Sequence, residues 1–93
     1  MPQPTLARIR ECIRTLNYVV SIHAAEELDD DNLTILDLEN IILTGKIIER
    51  QRDARTREVK CVVCGLTLDE RHAETIVKIG PLGNLFVITV YFA

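Results

Sequence analysis

The last stretch of the chain, Leu85-Phe86-Val87-Ile88-Thr89-Val90-Tyr91-Phe92-Ala93, contains no charged residue and is rich in β-branched and aromatic side chains. That composition fits a pleated strand. Left at the edge of a sheet, such a strand would template pairing with other chains. It is therefore expected inside a sheet, paired on both sides. Alternation places Phe86, Ile88, Val90 and Phe92 on one face and Leu85, Val87, Thr89 and Tyr91 on the other. The first set is wholly apolar and is expected beneath helices.

The same reading gives strands over 46–52, 58–66, 71–79 and 84–92. Turn signals separate them at Asp53 to Thr56, Leu68-Asp69-Glu70 and Gly80-Pro81-Leu82-Gly83. Short consecutive connections imply an antiparallel meander. Helical periodicity dominates earlier in the chain. Leu6, Ile9, Ile13 and Leu16 form one stripe of a helix over 5–17, with Thr5 as its cap. Ser21 caps a second helix over 22–30, preceded by the β-prone Tyr18-Val19-Val20. Thr34 and Asp37 form a capping box for a third over 35–44, with Gly45 expected in the left-handed conformation that stops it. Helices first and strands after predict an α+β fold: two to three N-terminal helices packed on one face of a four-stranded, mainly antiparallel sheet, as a single domain over residues 1–93.

Apolar residues at 47% and charged residues at 27% are those of an ordinary globule. The longest apolar run is too short to cross a bilayer, so no membrane partner is expected. Three cysteines and no leader-like N-terminus point to free thiols in a reducing cytoplasm. The net charge of −3 is unevenly spread. Residues 23–45 hold seven carboxylates and no Lys or Arg, whereas 46–60 hold Lys46, Arg50, Arg52, Arg55, Arg57 and Lys60 against three acids. The basic ribbon is either a solvated surface or a hairpin that meets phosphate or an acidic partner.

Cys61-Val62-Val63-Cys64-Gly65 looks like half of a zinc site. Val-Val favours a strand instead, and strand positions three apart face opposite ways about 10 Å from each other. One ion cannot hold both, so neither a metal nor a cofactor is expected. If Ile47 is buried, the open face collects Arg50, Arg52, Lys60, Cys64, His72, Glu74, Lys78, Thr89 and Tyr91. Such a face is either simply solvated or equipped for phosphodiester chemistry. His23 follows the Ser21 cap. A histidine there commonly satisfies a carbonyl or a cap, and is also suited to proton transfer near neutral pH.

Several motifs together resemble a bacterial domain-of-unknown-function family of DUF4258 type. They are Ser21-Ile22-His23-Ala24, Leu43-Thr44-Gly45, Lys46-Ile47-Ile48-Glu49, the apolar strand ending at Gly65, and Val87-Ile88-Thr89-Val90-Tyr91. The resemblance runs from about residue 5 to 92. It implies a RelE-like toxin fold, whose members include metal-independent ribonucleases and ribosome-dependent messenger-RNA endonucleases. On that resemblance His23 and the Thr89/Tyr91 strand match the family's polar positions; in a ribonuclease mechanism His23 is the base or acid, Arg50 or Arg52 the phosphate clamp, and Tyr91 an orienting or acid group. The implied partners are RNA, an antitoxin-like protein or a second copy of the chain. Where the family pattern has a basic residue after its histidine motif, this chain has Ala25-Glu26-Glu27-Leu28. The alternative reading is a non-catalytic protein-interaction or homo-oligomerising module that uses the acidic helices or a sheet edge.

Overall fold

In the computed structural model, which describes residues 4–93, the Thr5 side chain accepts the Arg8 amide and starts α1, Leu6–Arg14. The helix stops earlier than its periodicity suggested, because Leu16 adopts φ 56 and turns the chain away. Three residues, Tyr18–Val20, form β1. Ser21 then caps α2, Ile22–Asp30, which ends where Asn32 takes φ 55. Thr34 and Asp37 make the expected capping box on α3, Ile35–Thr44. Asp37 also accepts the Leu68 amide, so one carboxylate joins the helix start to the turn after β3.

Four longer strands follow: β2 Lys46–Arg52, β3 Val59–Leu66, β4 His72–Ile79 and β5 Leu85–Phe92. The sheet order is β1-β5-β4-β3-β2. All neighbours are antiparallel except β1, which runs parallel to β5. The architecture is thus α+β as expected, with a fifth, short strand that makes the sheet mixed. β5 is paired on both sides over Leu85 to Val87, and with β4 alone beyond that.

α3 lies across β3, with Leu38, Ile41 and Ile42 buried. Gly45 is not in the left-handed region expected of it; at φ −84 and ψ 173 it is extended. Its bareness serves packing instead. A Cβ on Gly45 or on Gly65 would run into the Ile41 carbonyl. These two glycines let the end of α3 settle directly on the β2–β3 ladder. Arg10 on α1 donates to the Gly45 carbonyl at 2.8 Å and closes this corner.

Two β-bulges overturn part of the expected facing. In β5, Val77 pairs with Val87 but Ile76 pairs with Thr89, so Ile88 is the extra residue. Before the bulge Leu85 and Val87 point to the core; after it Val90 does, and all three are buried. Phe86 and Ile88, expected in the core, are only half-buried. Phe86 shares the helix-free face with its partner Lys78. In β2, Ile47 pairs with Val63 and Glu49 with Val62, so Ile48 is extra. Arg50 therefore pairs with Cys61 and Arg52 with Val59, on the helix-bearing face rather than the open one. One inserted residue reverses the facing of all that follow it.

Candidate functional site

β1 leaves β5 after Val20, and α2 takes its place along the strand edge. The Ser21 amide donates to the Val87 carbonyl at 2.9 Å, and its hydroxyl donates to the Ile88 carbonyl at 2.8 Å while accepting the Ala24 amide. Ser21 thus caps the helix and pins it to the sheet. Beyond it the β5 edge would expose the Val90 N–H. Glu27 fills this gap: its Oε1 accepts the Val90 amide at 3.0 Å and the Thr89 hydroxyl. One helical turn earlier, His23 Nε2 stands 3.3 Å from the same oxygen. Three contacts meet at one carboxylate oxygen, two of them from β5.

The His23 ring is 69% exposed, whereas Glu27 is 24% exposed. A carboxylate fixed by β5 thus lies beside one nitrogen of an accessible imidazole, and the other nitrogen is open to a ligand. This is the base-and-orienting-group arrangement of acid–base sites. His23 sits in the first turn of α2, whose amino end carries the positive pole of the helix dipole. Ser21 occupies the Ala24 amide, so the earlier amides of Ile22 and His23 are among the unpaired donors that begin any helix.

Tyr91 lies on the helix-free face and donates to Glu74 Oε1 across the ladder at 2.9 Å. That hydrogen bond, followed by burial and the Glu74 charge, pushes the phenol above its ordinary pKa. It is a neutral group whose proton is already engaged. The same row continues through Cys64 to Lys46.

The sequence-predicted site residues therefore fall into three groups. His23 and Thr89 meet at Glu27. Tyr91 is on the open face with Glu74. Arg50 and Arg52 lie on the other face. Arg50 donates to the Pro4 carbonyl at 3.1 Å and lies beside the buried Cys61 thiol, whose pKa is raised by burial and lowered by Arg50. Glu27 was missed as a site residue, although its position four after His23, one turn along the same helix, was a readable signal. Cys61 and Cys64 occupy opposite faces of β3, as alternation predicts, and no cluster of three metal-ligating side chains forms among the described residues. No helix among them is long and apolar enough to cross a membrane.

A family model described as Domain of unknown function (DUF4258) matches residues 20–92. The chain belongs to this family. The DUF4258 match begins later than the motifs suggested: α1 and most of β1 precede it, while His23, Glu27, Thr89 and Tyr91 all lie within it. No curated protein and no solved structure matches the chain.

Proposed function

We propose that this DUF4258 protein is a small RelE-like, toxin-type endoribonuclease that works by metal-independent acid–base chemistry, with an antitoxin-like protein as its partner. The observation that supports the reading is the His23–Glu27–Thr89 junction, an accessible imidazole beside a carboxylate that the sheet itself fixes. His23 takes the proton of a ribose 2′-hydroxyl. The freed oxygen attacks the adjacent phosphorus, and the bond to the 5′-oxygen breaks, leaving a 2′,3′-cyclic phosphate. The departing oxygen receives the proton from the imidazolium or from water. Glu27 holds the ring and offsets the imidazolium charge. The oxyanion draws on the unpaired amides at the start of α2, because Arg50 and Arg52 belong to another face.

The test is cleavage of labelled RNA in the presence of a chelator. His23→Ala is expected to reduce the rate by about 10²–10⁴-fold, the span of a general acid or base. Wild-type-like cleavage by His23→Ala removes the histidine from the mechanism. A wild type that cleaves no RNA removes the enzyme reading. The second reading, a protein-interaction module, is favoured by one observation: no Lys or Arg occurs between His23 and Gly45, so the helical segment that carries the histidine is acidic.

A further inference from the structure

The chain has a net charge of −3, yet one recess gathers cations. A cleft of about 810 Å³ opens at the end of the sheet, between the β2–β3 hairpin, the β4–β5 turn and the start of α1. Arg8 of α1, Arg52 of β2, Arg57 of the hairpin and Lys78 of β4 line it, against the single carboxylate of Glu58. Glu58 is engaged by Lys78 at 3.1 Å. Among the described residues no carboxylate pairs with Arg8, Arg52 or Arg57. Three guanidinium groups, two from the β2–β3 hairpin and one from α1, thus line one recess around the end of the sheet with no carboxylate paired to them. Concave walls concentrate such a field and favour an anion inside it. The first turn of α1 adds the positive end of a helix dipole.

The wall chemistry narrows the class of anion. Phe86, turned out of the core, lines the cleft, and Lys78 Nζ lies 5.8 Å from its ring centroid. Guanidinium forks suit phosphate oxygens, and an aromatic face suits a base or a sugar. The volume lies within the range of small-molecule sites.

We propose that this cleft binds nucleotide phosphates, with Arg8, Arg52 and Arg57 on the phosphate oxygens and Phe86 against the base. The ligand is a single-stranded nucleic-acid chain or a free nucleotide, which share this chemistry. The site is separate from His23, and binding here does not depend on whether the protein cleaves RNA.

The experiment measures binding of full-length protein to a short fluorescent single-stranded DNA, which lacks the 2′-hydroxyl and so cannot undergo that cleavage. ATP serves as competitor and as a calorimetric ligand. The DNA affinity is expected to fall with salt at a log–log slope of about −2 to −3, as three or four phosphate contacts require. The double variant Arg52→Gln/Arg57→Gln, and separately Arg8→Gln, should weaken binding, the double variant by about tenfold or more. These side chains are exposed, so the fold should survive. Arg14→Gln, on α1 but outside the cleft, should bind as the wild type does. DNA bound far more tightly than ATP assigns the site to a nucleic-acid chain; comparable affinities assign it to a free nucleotide. Failure of both probes to bind, or binding that survives all three cleft substitutions, overturns the proposal.

Discussion

Asp37 shows how much structure one side chain can organise. It is 8% exposed, accepts the Thr34 amide to close the capping box of α3, and accepts the Leu68 amide from the β3–β4 turn. Those hydrogen bonds, the Thr34 amide foremost, hold its carboxyl below the ordinary value of 3.8. Asp37→Ala removes a cap partner and orphans an amide, and should cost about 2 kcal/mol. For a domain of this size that is a fall in melting temperature on the order of 10 °C. The pH dependence has a definite sign. A carboxyl whose folded pKa is depressed contributes its stabilisation above the unfolded value and loses it as pH falls through the lower folded value. The wild type should therefore lose stability below about pH 4, and the gap between wild type and Asp37→Ala should narrow in the same window. Thermal melts of both proteins between neutral and acidic pH measure this. A gap that stays constant down to the lowest pH would remove Asp37 from the acid response. His23 and Glu27 are the other residue-scale lesson. Each was visible in the sequence, but Glu27 reads as one more acid in an acidic run until β5 is seen to donate to it.

At the scale of elements, strand and helix positions were legible because the breakers are chemically explicit. Gly80 to Gly83, the Asp53 turn and the Ser21 and Thr34 caps sit where elements start or stop. Facing was less legible. Nothing in Lys46-Ile47-Ile48-Glu49 or Val87-Ile88-Thr89 says which residue will bulge, since Ile48 and Ile88 are ordinary strand residues. The bulge at Ile48 carried Arg50 and Arg52 away from Tyr91, and so dissolved a site that simple alternation had assembled. The bulge at Ile88 exchanged core and surface roles along β5. The consequence is measurable by urea unfolding. Leu85→Ala, at a fully buried position, should cost about 2–5 kcal/mol. Ile88→Ala, half-buried and outside the core cluster, should cost clearly less. Equal or reversed costs would restore the uninterrupted alternation and place Ile88 inside. β1 was readable as β-prone, but its parallel pairing with β5 was not, because three residues carry no register signal of their own.

At the scale of the whole molecule, the separation of acidic and basic segments could be read along the chain. The cationic cleft could not, since it brings Arg8 of α1 to Arg52 and Arg57 across more than forty residues of sequence. The same long-range assembly sets the folding unit apart from the family match. The match begins at residue 20, yet α1 lies before it and buries Ile9, Cys12 and Ile13 in the one hydrophobic core. Burying the two isoleucines alone is worth about 3–6 kcal/mol. The net stability of a domain is only about 5–15 kcal/mol. Removing α1 and β1 would also uncover the Leu85 to Val87 edge of β5, the strand least suited to an open edge. A chain of residues 20–93 should therefore be expressed as aggregate, or give no cooperative unfolding transition, while the full chain melts as one unit. Size-exclusion chromatography and urea unfolding of the two chains decide it. A monomeric 20–93 fragment with a sharp transition would show that α1 is dispensable packing, and that the matched segment folds without it.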